Sequence, residues 1–148
     1  DPLAVIPSGL SLVTGVLDKR FGFWSLSEEK RSHFINRLYH GLVQLLLRFH
    51  SDWTSGKIDK SKVMIVPFDR LMDDFENLMN EILAFTNHSP SEELKKDILN
   101  TGDNQRKFKS EHKYDLEKFG LTALQIQKDC APIYKTFINS SKPEMKEE

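Results

Sequence analysis

From about residue 27 to residue 53 the apolar positions Phe34, Leu38, Leu42, Leu45, Leu46 and Phe49 recur every three or four residues, with Arg31, Asn36, Arg37 and Gln44 between them. That spacing winds the apolar side chains onto one broad face, so it predicts a long amphipathic helix. Ser25 and Glu28 have the spacing of a capping box at its start, and Thr54-Ser55-Gly56 stops it. A shorter N-terminal helix follows from Leu10, Leu12, Val13 and Leu17, which suggest one buried side ending near Gly15 or Leu17. Asp1 and Pro2 suit a helix start, because Asp accepts from free backbone N–H groups and Pro has φ preset for the first turn. Pro7 moves the expected start of regular helix toward Ala4.

Residues 57–62 read as a polar loop. Val63-Met64-Ile65-Val66 is a short continuous apolar run between charged residues and Pro67. It predicts a strand over about 62–67, buried on both faces. A lone strand leaves its own backbone donors and acceptors unsatisfied, so it is expected to pair with strands that this sequence does not clearly contain. Phe75, Leu78, Met79, Ile82, Leu83 and Phe85 predict a second strong helix, with Asp73 and Asp74 at its positive N-terminal end. A third helix opens at Ser89-Pro90-Ser91-Glu92-Glu93 and is expected to end near Leu99, before Thr101-Gly102-Asp103-Asn104. Residues 105–114 read as an exposed basic loop carrying Arg106, Lys107, Lys109 and Lys113. Two short helices separated near Gly120 supply the last apolar positions, among them Phe119, Ile126, Ile133 and Phe137. The tail, residues 138–148, is expected to be disordered. There is no internal repeat.

The 148 residues suffice for one domain or part of one. Lys and Arg number 21 against 22 Asp and Glu, a formal charge of −1, which gives no global reason to expect nucleic acid as a partner. Cys130 is the sole cysteine, which excludes an intrachain disulfide framework and a multi-cysteine zinc site. No window reaches the roughly 18 uninterrupted apolar residues that span a bilayer; residues 42–49 come nearest and are broken by Gln44 and Arg48. No membrane contact is expected from this segment. The start at Asp1, without Met or an apolar signal segment, leads us to expect a fragment or processed product, with cytoplasm and Golgi lumen both open as compartments.

Ser55-Gly56-Lys57 lacks the first glycine and the final hydroxyl of a phosphate-binding loop. His33 and His40 can share a helix face but have no third ligand near them, and Cys130 has neither a cation nor a partner cysteine beside it in sequence. Asn87-His88-Ser89 and Asn139-Ser140-Ser141 match the glycosylation sequon, although Pro90 disfavours the first. The basic stretch is the stronger candidate: four cations within eight positions, next to Ser110 and His112, suit a phosphate or sulfate group, and a solvated charge cluster is the plainer alternative.

Three segments, in this order, carry a family resemblance. Asp1-Pro2-Leu3-Ala4-Val5-Ile6-Pro7-Ser8 comes first. Val63-Met64-Ile65-Val66-Pro67-Phe68-Asp69-Arg70-Leu71 and its following helix come second, and the third runs from Arg106 to Leu121. Together they resemble the C-terminal half of a sulfotransferase that uses 3′-phosphoadenosine 5′-phosphosulfate, with the third segment closest to carbohydrate-type and bacterial-type members. The resemblance covers residues 1–137 as part of a single domain.

The resemblance implies an α/β fold, a P-loop-like parallel sheet begun upstream of Asp1. It also implies transfer of a sulfuryl group from that cofactor, without a metal, to a small-molecule or carbohydrate hydroxyl or to an amine. Ser8 would bind the 3′-phosphate together with an Arg directly before Asp1. Phe68 stands where the family has a Tyr that contacts adenine, which keeps an aromatic face and drops the hydroxyl. Arg106, Lys107 and Lys109 would neutralise the 3′-phosphate. The phosphosulfate loop and the catalytic base lie upstream in the family, so no catalytic residue is expected in this chain and the chain alone is expected to be inactive. The alternatives are a nucleotide or small-molecule kinase of related architecture, or a non-catalytic helical module binding a partner through Phe34, Leu38 and Leu42.

Overall fold

The computed structural model describes residues 1–107 and 115–139. Its regular elements are α1 (Pro2–Phe21), α2 (Glu28–Thr54), α3 (Arg70–Asp73), α4 (Phe75–Phe85), α5 (Glu92–Lys107), α6 (Ala123–Asp129) and α7 (Ala131–Ile133), joined by short 3₁₀ turns and closed by a π turn at Tyr134–Ile138. They fall into two compact units: Asp1–Lys57 with Lys113–Glu148, and Ile58–His112.

In the first unit, α1 begins where Asp1 Oδ1 accepts from the Leu3 amide at 2.9 Å, and it runs past the expected end at Gly15 or Leu17. It stops at Gly22, whose φ of 65° is a left-handed conformation that costs glycine nothing and lets its N–H reach the Asp18 carbonyl. Pro7 lies inside the helix and is buried. The buried side is narrower than the sequence suggests: Ile6 and Leu10 are buried, Val13 and Leu17 are half-buried, and Leu12 is 69% exposed. Helix α2 matches its expected span closely. Its N-cap is Ser27, whose side chain makes no capping bond, and Ser25 Oγ donates to the Gly22 carbonyl instead, so the expected capping box is not formed.

Ile6 and Leu10 meet Ile35, Tyr39 and Val43 of α2, Ile126 of α6, Cys130 between α6 and α7, and Ile133 of α7 in one apolar cluster. Leu42 packs so closely on Gly9 that a Cβ there would lie 3.1 Å from a Leu42 methyl. Phe34, Leu38 and Leu42 are half-buried against the same cluster, so much of the proposed partner-binding face is used inside the unit. Long-range polar ties fasten α6 and the C-terminal turn: Tyr39 Oη donates to Asp129 Oδ2 at 2.7 Å, Tyr134 Oη donates to Asp1 Oδ1 at 2.8 Å, and His50 Nε2 is hydrogen-bonded to Thr136 Oγ1 at 2.9 Å.

The second unit contains the main correction. The expected class was α/β, with a strand over about 62–67 in a P-loop-like parallel sheet; the described residues contain no strand and the described fold is all-helical. Residues 60–62 are a 3₁₀ turn, and Val63 is extended at φ −132° and ψ 118°, but residues 63–66 form no ladder with any described segment. A strand exists only as one member of a ladder, and backbone geometry without a partner does not make one. Ile65 is 40% exposed, whereas a strand buried on both faces would cover it.

The expected helix after it forms as α4, with Asp74 as its N-cap residue. Asp74, at φ −137° and ψ 40°, separates the single turn α3 from α4. Helix α5 continues through Thr101-Gly102 to Lys107, so Arg106 and Lys107 end a helix rather than open a basic loop. Gly102 breaks nothing because it is buried where α5 meets α4: a Cβ there would collide with the Glu76 carboxyl. Leu78 is the fully buried centre of this unit. Among the described residues no helix is long and apolar enough to cross a membrane.

Candidate functional site

The residues expected to contact the cofactor fall in both units. Ser8 belongs to the first; Phe68, Arg106 and Lys107 belong to the second; Lys109 lies outside the described residues, as do Ser110, His112 and Lys113.

Ser8 sits in the second turn of α1, half-buried, and its hydroxyl has no hydrogen-bond partner among the described residues. A hydroxyl in that state keeps its donor for a ligand oxygen. Phe68 is 73% exposed. Pro67 precedes it, and Asp69, whose Oδ1 accepts from the Arg70 amide at 3.1 Å, follows it as the cap of α3. A turn thus presents the ring just after the apolar run 63–66, where a planar group has access to it.

Arg106 is less available. Its Nη1 donates to Glu76 Oε1 at 2.7 Å and Oε2 at 2.9 Å, and its Nη2 donates to Asp103 Oδ1 at 2.6 Å. Two carboxylates therefore offset its charge before any anion arrives. Hydrogen bonding from Arg106 holds the Glu76 carboxyl below its ordinary range, and Glu76 first and Asp103 second push the guanidinium up. Lys107, the last residue of α5, is exposed and has no ion-pair partner among the described residues. Within the second unit the exposed ring suits a planar group, and the doubly held guanidinium meets a phosphate only after it leaves Glu76 or Asp103.

A second ion cluster was only partly legible. Arg70 donates to Glu81 through Nη1 and Nη2, each at 2.7 Å, and to Asp74 through Nε at 3.2 Å and Nη2 at 2.8 Å. Arg70 and Asp74 are four apart, the spacing of a helical ion pair, while nothing local in the sequence signals Glu81, eleven residues on. Hydrogen bonds from Arg70 hold Glu81 and Asp74 below the ordinary carboxylate range. These carboxylates stay anionic at neutral pH and are tied to a guanidinium, which suits structure rather than proton donation.

Cys130 is fully buried, and burial first, then the neighbouring Asp129, pushes its thiol up, away from nucleophilic chemistry. Tyr39 is pushed up by burial and by the Asp129 carboxylate that accepts its hydrogen bond. His33 and His40 are both exposed on α2, and among the described residues no three His, Cys, Asp or Glu side chains gather where they would hold a metal. Comparison with protein-family models, with curated proteins and with solved structures finds no match.

Proposed function

We propose that this chain takes part in sulfuryl transfer from 3′-phosphoadenosine 5′-phosphosulfate to an acceptor hydroxyl or amine, with a carbohydrate hydroxyl as the preferred class. In that reaction the acceptor oxygen or nitrogen bonds to sulfur and the bond from sulfur to the phosphate oxygen breaks. Adenosine 3′,5′-bisphosphate leaves, and the acceptor's proton passes to a base. Phe68 carries no basic group and the Arg106 guanidinium is protonated, so the role proposed for the second unit is to hold the adenosine bisphosphate end.

One observation carries this reading: the apolar run 63–66 leads directly to the exposed ring of Phe68 and then to a helical turn capped by Asp69. A large aromatic ring left in water at an ordered turn has no packing role inside its own unit, and stacking on a planar base would remove it from water. The order of the three sequence segments is independent support.

Titration of the full-length protein with adenosine 3′,5′-bisphosphate, followed by a radiolabelled sulfate-transfer assay on a panel of saccharides, tests the proposal. Saturable binding with transfer to at least one saccharide is expected. Failure of the full-length protein to bind the bisphosphate would overturn it.

A further inference from the structure

In the first unit an open cleft of about 870 Å³ lies between the C-terminal end of α1, the turn at Phe23–Ser25 and the N-terminal half of α2. Leu17, Phe21, Phe23, Leu26, Phe34 and Leu38 are its apolar lining. The floor is ordered: the Phe23 and Phe34 rings meet edge to face at 5.3 Å, and Phe23 packs on Trp24 at 5.1 Å. At the rim, Phe21 is 74% exposed and Leu26 39% exposed. The volume lies within the roughly 300–1,000 Å³ typical of small-molecule sites.

The same rim carries Lys30, His33 and Arg37, and Glu29 is the one carboxylate lining it. Lys30, His33 and Arg37 are exposed, and none of them has an ion pair or hydrogen bond among the described residues. This contrasts with Arg48, Arg70 and Arg106, each held by a carboxylate. The spacing of three and four residues sets the side chains in a row along one edge of α2, with about 10 Å of helix between the first and the last. A row that long gives one anionic head one or two cations to meet, which matches a single carboxylate better than a cluster of phosphates.

We propose that this cleft binds a small amphiphilic acid, an apolar chain or ring carrying one carboxylate, with the chain on the Phe23 and Phe34 floor and the head on Lys30 and Arg37. The apolar floor supplies binding through loss of water-exposed surface, and the rim supplies preference for the anion. The inference does not depend on sulfuryl transfer.

Calorimetric titration of the full-length protein with decanoate and, separately, with decanol tests it at low ionic strength. Decanoate is expected to bind roughly tenfold more tightly than decanol, a difference of the size two partly exposed charge contacts give, and added salt is expected to narrow the gap. In the double variant Lys30→Glu and Arg37→Glu the preference disappears while decanol binding stays. Both positions are exposed, so folding is not at risk. Phe21→Ser, which shortens the apolar wall, weakens both ligands together. Equal affinity for the two ligands, a preference that survives the double charge reversal, or no binding of either ligand would each overturn the proposal.

Discussion

Arg106 grips Glu76 with one guanidinium nitrogen shared between both carboxylate oxygens, at 2.7 and 2.9 Å, one helical turn beyond the point where Gly102 brings α5 against α4. The residue best placed by sequence to hold a phosphate is therefore already holding a carboxylate. If Arg106 serves a phosphate, Glu76 competes with that phosphate for the same donors. Glu76→Gln, which keeps the shape and removes the charge, is expected to raise the affinity of the full-length protein for adenosine 3′,5′-bisphosphate about two- to fivefold, and Arg106→Ala to lower it by at least as much. Should neither substitution move the affinity, Arg106 is a structural residue of the α4 and α5 contact and leaves the site.

The Ser8 hydroxyl makes no bond inside its unit among the described residues, so its removal leaves nothing unsatisfied there. Ser8→Ala is expected to weaken bisphosphate binding by about 0.5–1.5 kcal/mol, roughly two- to tenfold, the worth of one hydrogen bond, with the melting temperature unchanged. A calorimetric isotherm identical to that of the unsubstituted protein would take Ser8 out of the site.

Phe68 separates the contribution of a ring from that of a hydroxyl. Because its ring is 73% exposed, Phe68→Ala is not expected to change stability, and it is expected to cost about fivefold in bisphosphate affinity by removing a stacking face. Phe68→Tyr restores the face and adds a donor, so it is expected to bind at least as tightly as the unsubstituted protein. Retention of full affinity by Phe68→Ala would exclude stacking.

The helices that the sequence makes legible are those whose apolar positions repeat over many turns. Helix α2 shows this best, because an error at one position is outvoted by the rest. The strand fails for the opposite reason: four consecutive apolar residues carry no period, and only a partner distinguishes a strand from an extended connection. Gly102 reads as a helix breaker by its conformational freedom, yet it lies where a Cβ would push against the Glu76 carboxyl, a tertiary fact that local sequence does not contain. For the candidate site, residue types are legible and competition is not. The cations at 106 and 107 are plain in the sequence, whereas Glu76, thirty positions away, meets Arg106 only through the packing of α4 on α5.

Tyr39 is expected to matter for folding rather than chemistry. It is fully buried in the first unit, and its hydroxyl joins α2 to α6 by donating to Asp129 at 2.7 Å. Tyr39→Phe leaves the ring packing intact and deprives a carboxylate of its donor, so a loss of about 1–2 kcal/mol is expected in urea unfolding at neutral pH. An unchanged unfolding midpoint would mean that water replaces the phenol at Asp129.

Acid should loosen the second unit in a way that Arg70 controls. Asp74 and Glu81 have folded-state pKa values lowered by hydrogen bonds from Arg70, and Glu76 is lowered by Arg106. When the folded pKa is depressed, the unfolded chain binds protons first as pH falls; the stabilisation is fully present above the ordinary carboxylate range and is lost as pH drops through the lowered values. Urea midpoints are therefore expected to stay level from neutral pH to about pH 5 and to fall below it. Arg70→Gln removes the donor that lowers two of these groups, so its midpoint should lie below that of the unsubstituted protein at pH 7 and converge with it as pH falls through the lowered folded values and the carboxylates become neutral in both. Added salt should shrink the gap at pH 7, because these pairs are reached by solvent. A gap that keeps its size across the whole pH range would show that Arg70 acts through the packing of its aliphatic stem rather than through its charge.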